Sequence, residues 1–303
     1  MFEFLTMPPA TNIMQHRAAT AQRQALLACT DVANRTGHTV TAAGLTALQL
    51  LGAPLPESST LNENLVDCVV FSRKTRFAVH GAACHVWSNV TTLGAVIEVG
   101  TVECLSPEAA FAYMGRHLSL LDLVKLADSL TCRDELLHRT TLDEIWNFIR
   151  NCTPFAGRAK CEHALCLARE RTDSPKETET RLALDCEAFP EMTTNYLLET
   201  ESGQKFLDLA SEDYRIAVEF DGRHHLSRIG EDHERINDIQ SRLWTVFVID
   251  NDTLQSTSRC NQFLDTLERA FRNAGAQFTR RHMTLDQLAD LRKHRGRFAL
   301  PRV

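Results

Sequence analysis

The sequence predicts an α+β domain over residues 1–155, followed by an α/β domain over 174–275. Three observations carry the second domain. Ser174-Pro175-Lys176-Glu177 is a capped helix start. Three strand-like runs follow, at 192–199, 205–210 and 214–221. A helix over 232–243 then leads into Val246-Phe247-Val248-Ile249, a short continuous apolar run of the kind a fully buried strand shows. With a last helix over 259–273, the order is helix, three strands, helix, strand, helix.

Each element has its own signal. Ser174 suits an N-cap, Pro175 the first helical position, and Glu177 closes a capping box. Leu182, Cys186 and Phe189 give that helix an apolar stripe. Ile236, Ile239 and Leu243 turn the second helix inward; Phe263, Leu267, Ala270 and Phe271 do the same for the last, which Gly275 stops. In the first domain, helices over 20–34 and 42–51 end at Gly37 and Gly52. Strands are expected at 67–72, 76–80, 84–88, 95–99 and 101–104. Ser106-Pro107-Glu108, Ser119 and the capping box Thr141-xx-Glu144 open three more helices. A linking helix is expected within 156–173, and 276–303 reads as a basic C-terminal tail or helix.

The chemistry concentrates on the second and third strands. Acidic side chains are uncommon in strands, because burying an unpartnered charge is costly. Asp208, Glu219 and Asp221 sit in adjacent runs. With a period of two, Ile216, Val218 and Phe220 share one face while Ala217, Glu219 and Asp221 share the other. A short polar connection (Ser211-Glu212-Asp213) makes the runs an antiparallel hairpin, so Asp208 lies across from Glu219 or Asp221. Such a set suits a hard divalent cation, Mg²⁺ or Mn²⁺. His224 and His225 follow the strand end. The competing reading is a solvated acidic strand face with a surface histidine pair.

These residues resemble the PD-(D/E)XK nuclease superfamily, in the branch related to very-short-patch repair endonucleases. The matching pieces are Ser174–Thr178, Asp208, Val218-Glu219-Phe220-Asp221-Gly222, His225, Asp232-xx-Arg235 and the run 244–249. The resemblance implies a restriction-endonuclease-like fold. It also implies a site in which Asp208, Glu219 and Asp221 are metal ligands, Glu177 joins from the helix, and His225 is the general base. Glu219 either binds metal or orients the attacking water. The lysine of the (D/E)XK motif is replaced by Asp221. Arg235 either contacts a phosphate or pairs with Asp232 across its helix. The first 150 residues resemble the region preceding such domains in relatives of abortive-infection-type antitoxins, without the winged helix with which those proteins often begin.

Composition bounds the rest. Net charge is −6, yet residues 271–303 hold eight Lys or Arg against two Asp, which leaves −12 on the other residues. Arg280, Arg281, Arg292 and Lys293 are therefore candidate DNA contacts, or the polar face of an amphipathic helix. The ten cysteines form no CxxC pair. With no transmembrane-length run and no signal-peptide pattern, this predicts a cytoplasmic protein without a membrane partner. Cys161, His163 and Cys166 lie in a helical stretch and read as packing rather than a zinc site, as do His80, His85 and Trp87. Two functions follow as expectations. One is a metal-dependent DNA endonuclease; the other is a non-cleaving nuclease-fold regulator or antitoxin-like protein that binds DNA or a protein partner.

Overall fold

The computed structural model describes residues 12–221 and 229–294, without the side chains of 229–234 and 293–294. The chain is mixed α and β, with two mixed sheets in two compact units, one reaching Glu170 and one spanning Arg171–Leu291.

In the first unit, Asn12 caps α1 (Ile13–Thr36) by accepting the Gln15 N–H, and Gly37 ends it at φ +67. The chain continues through β1 (Thr41–Ala42), α2 (Gly44–Leu50), β2 (Val66–Val70), β3 (Ala82–Val86), β4 (Val96–Val99) and β5 (Val102–Leu105). The sheet order is β3-β2-β1-β5-β4. No strand forms at 76–80, contrary to expectation. The reason is topological. β2 and β3 pair in parallel, so residues 71–81 must carry the chain back to the other end of the sheet. Arg76 fastens this return by donating to the Cys84 carbonyl.

Four helices complete the unit: α3 (Pro107–Met114), α4 (Leu120–Leu130), α5 (Leu142–Asn151) and α6 (Arg158–Leu167). Ser106 and Ser119 cap α3 and α4, and the Thr141–Glu144 capping box is formed at α5. The expected linking helix, α6, belongs to this core instead: Cys161, Ala164, Leu165 and Leu167 are fully buried. Two glycines allow the approach. A Cβ on Gly157 would lie 2.4 Å from the Gly115 carbonyl carbon, and one on Gly115 would lie 2.3 Å from Cys161 Sγ.

The second unit runs α7 (Pro175–Cys186), β6 (Thr193–Thr200), β7 (Gly203–Ser211), β8 (Ile216–Phe220), α8 (Ile229–Ser241), β9 (Thr245–Ile249), α9 (Asn251–Gln255), α10 (Thr257–Asn273) and, up to Leu291, α11 (Leu285–His294). Its sheet order is β6-β7-β8-β9, antiparallel except for the parallel β8–β9 pair. One face packs Leu209, Ile216, Val218 and Ile249 against Leu264, Leu267 and Phe271 of α10. The other packs Leu207, Ala210 and Ala217 against Ile239 of α8 and Trp244. Beyond α10 the chain returns to the C-terminal end of α7. There Arg281 N–H donates to the Glu187 carbonyl and Met283 N–H to the Cys186 carbonyl.

The alternation of β7 shifts by one residue within this sheet. Leu207 and Leu209 are two apart, yet they pack on opposite faces. The break lies at Asp208. Pairing of β6 with β7 runs from Thr193–Ala210 to Thr200–Gly203 but omits Asn195 and Asp208, and Asn195 has φ +45. The register is the same on both sides of this pair, so no residue is inserted: the ladder is broken locally at two facing residues, and the side chains there are re-aimed.

Candidate active site

At this break in the β6–β7 ladder the Asp208 side chain reaches β8. Regular β7–β8 pairing stops at Leu209–Val218, and the next position places Asp208 across from Glu219. The Asp208 carboxylate accepts the Phe220 N–H at 2.8 Å, standing in for a carbonyl of the ladder. Glu219 is buried on the face that carries Ala217. Its Oε2 accepts Arg235 Nη1 at 2.8 Å, while its Oε1 is buried with no hydrogen-bond partner. Arg235, from α8, also donates from Nη2 to the Phe206 carbonyl at 2.5 Å.

Glu177 joins from α7. Ser174 caps the helix as expected, accepting the Glu177 N–H at 3.2 Å. The Glu177 carboxylate does not close a capping box. It accepts the Asp173 N–H at 3.1 Å and the Asn195 side-chain amide at 3.0 Å. These two donors hold the carboxylate inward, and Glu177 is buried. Asn195 also donates to the Arg171 carbonyl at 2.7 Å. Its role was missed from the sequence, where the only signal is an Asn inside a strand run, a residue type that is depleted in strands but tolerates positive φ.

The electrostatics follow from this grouping. Burial pushes the Glu177 carboxyl up to about 7. Asp208 is raised well above the usual carboxylate range, first by burial and then by the charges of Glu219 and Glu177; the Phe220 N–H and Arg235 oppose the rise. Three carboxylates thus share one neighbourhood, with the Arg235 guanidinium beside them.

The other expected site residues are placed differently. Asp221 lies just past β8 and is exposed, although its N–H still bonds the Ile249 carbonyl at 2.7 Å. His225 lies outside the described residues. Arg235 turns inward to Glu219 and Phe206 rather than outward as a phosphate contact. Arg280 is held at 3.0 Å by Glu187 and at 2.7 Å by Asp265, with Glu268 at 3.6 Å, so its charge is met within the fold. Arg281 is exposed, Arg292 lies in α11, and the Lys293 side chain is outside the described residues. No protein-family model, no curated protein and no solved structure matches this chain.

The donor set is all oxygen, which suits a hard divalent cation, and the bare Glu219 Oε1 is an orphaned buried acceptor of the kind such an ion satisfies. Asp208 and Glu219 are the residues that would hold it. Among the described residues no group of three or more His, Cys, Asp or Glu side chains is arranged to hold a metal ion. Backbone carbonyls, solvent or substrate oxygens would supply the remaining positions. In the first unit, His85 lies 3.6 Å from Asp67 and Trp87 packs edge-on against the buried Tyr113, an aromatic core with polar inserts.

Proposed function

We propose that the second unit is a metal-dependent endodeoxyribonuclease of the PD-(D/E)XK type, related to the very-short-patch repair endonucleases. The observation that carries this reading is the gathering of Glu177, Asp208 and Glu219, one from the first helix, one from the second strand and one from the third. The element order α7, β6–β8, α8, β9, with a parallel β8–β9 pair, supports it. Carboxylates brought into mutual repulsion at a distorted strand are arranged for a charge that arrives later, and strained geometry of this kind clusters at functional sites.

A bound divalent cation would supply stabilisation of the charge that builds on a scissile phosphodiester. This chain's residues do the rest. Asp208 and Glu219 present carboxylate oxygens at the end of the β7–β8 ladder. Glu177, whose carboxyl burial pushes up to about 7 in the metal-free protein, sits beside them. His225, four residues beyond Asp221, is the candidate general base for the attacking water. Asp221, exposed and two residues beyond Glu219 in the chain, is the further carboxylate this reading would enlist.

The alternative, a nuclease-fold protein that binds without cutting, draws support from the internal pairing of Arg235 and Arg280. Two of the expected phosphate contacts are thereby engaged within the fold. Incubation of the purified protein with plasmid and single-stranded DNA, in Mg²⁺ or Mn²⁺ against EDTA, separates the two. Metal-dependent strand cleavage is the expected result. DNA or protein binding without cleavage in either metal selects the alternative.

A further inference from the structure

We propose that Arg235 is the positioning residue of the carboxylate cluster: it clamps one oxygen of Glu219 so that the other is presented to a divalent cation. This rests on the nuclease reading above and assigns Arg235 a task different from contacting DNA.

The geometry has three parts. Arg235 Nη1 holds Glu219 Oε2 at 2.8 Å, and Nη2 holds the Phe206 carbonyl at 2.5 Å. The planar guanidinium therefore spans β7 and β8 at the point where their regular pairing stops, after Leu209–Val218. Two contacts to one rigid plane fix its orientation, and with it the rotation of the Glu219 carboxylate. The second oxygen, Oε1, is consequently held in place while buried and unbonded. An unsatisfied buried acceptor is costly, and a cation at Oε1 would relieve that cost. Groups that orient a metal-binding side chain from behind commonly set metal affinity by about 10–100-fold. A lysine could not substitute, since a single ammonium at the end of a flexible stem lacks the fork that reaches both strands.

The test uses the full chain and Mn²⁺ alone, by isothermal titration, on wild type, Arg235→Lys and Arg235→Met. Thermal melts in EDTA report folding. The expected result is Mn²⁺ binding by wild type and binding about 10–100-fold weaker in Arg235→Lys at a nearly unchanged melting temperature. If Arg235→Met fails to fold, the Lys variant alone decides. Wild-type binding with equal or tighter binding by Arg235→Lys overturns the positioning role and leaves the nuclease reading standing. Wild type that takes up no Mn²⁺ overturns both. DNA affinity measured across salt gives an independent arm. An unchanged salt slope in Arg235→Lys and Arg235→Met supports the inward role. A slope smaller by about 1 in Arg235→Met makes Arg235 a phosphate contact and overturns it.

Discussion

Asn195 and Asp208 stand opposite each other in the β6–β7 register, and neither takes part in its pairing. One turns its amide to Glu177 and the other its carboxylate to Phe220 N–H. The paired distortion is therefore held by side-chain hydrogen bonds. Asn195→Gly keeps the positive φ but removes two bonds, and should cost about 1–3 kcal/mol through the partners left unsatisfied. Asn195→Ala should cost about 1–2 kcal/mol more, because alanine pays the left-handed penalty that glycine escapes. Denaturant melts in EDTA would measure both; equal stability of the two variants would contradict the strain argument.

Asp208→Asn should raise the melting temperature in EDTA by about 2–4 °C, as relief of repulsion worth about 1 kcal/mol would in a chain of this order of size. The same variant should lose metal-dependent cleavage while keeping most DNA affinity, since phosphate contacts come from cationic groups. Cleavage that survives in Asp208→Asn would locate the activity elsewhere.

Glu177 makes the metal-free protein pH-sensitive in a definite direction. Its folded-state carboxyl is raised from 4.5 to about 7, so between those values the folded state keeps a proton that the unfolded chain releases. The stabilisation from this group is full below about 4.5 and declines as pH rises through about 7. Glu177→Gln should flatten that part of the stability profile, followed by thermal melts from pH 4 to 8 in EDTA. An unchanged slope in the variant would mean that Glu177 is ionised throughout.

His117 predicts the opposite sign. Burial, with Arg116, His85 and Lys160 nearby, lowers its imidazole from 6.5 to about 4. Arg116 Nε donates to His117 Nε2 at 2.8 Å, and Nδ1 lies 2.6 Å from Thr60 Oγ1, an arrangement for the neutral ring. Between pH 6.5 and about 4 the unfolded chain binds the extra proton. Stability from this group is therefore complete above 6.5 and is lost as pH falls through about 4. His117→Gln should be less acid-labile in that window; a steeper acid loss in the variant would reverse the assignment.

A fragment spanning residues 171–291 contains the second unit with both of its apolar faces. It should fold alone and melt cooperatively by circular dichroism. A fragment that stays molten, with helical signal but no cooperative transition, would show that the unit depends on the rest of the chain.

What the sequence made legible was local. Capping at Ser106, Ser119, Thr141 and Ser174, and the period of β8, depend on neighbours in the chain, and the structure has them. The return at 76–80 was hidden because parallel pairing of β2 with β3 is a long-range choice that leaves no period of its own. Glu177 shows the same limit at the site. Its spacing from Ser174 is that of a capping box, but an amide from a distant strand competes for its carboxylate. For Arg235 the sequence offered a phosphate or Asp232 on its own helix, and for Arg280 a DNA contact or the polar face of a helix; the partners seen, Glu219 for Arg235 and Glu187, Asp265 and Glu268 for Arg280, lie on other elements and leave no local pattern.

The clasp between residues 280–283 and the end of α7 bears on the order in which the molecule is made. Glu177 lies in the first helix of its unit, yet the backbone groups of Cys186 and Glu187 at that helix's far end are bonded by Met283 and Arg281, about a hundred residues later. On a ribosome, α7 emerges early and waits for its latch. A nascent chain stopped before residue 280 would carry Glu177 on a helix not yet fastened at its C-terminal end.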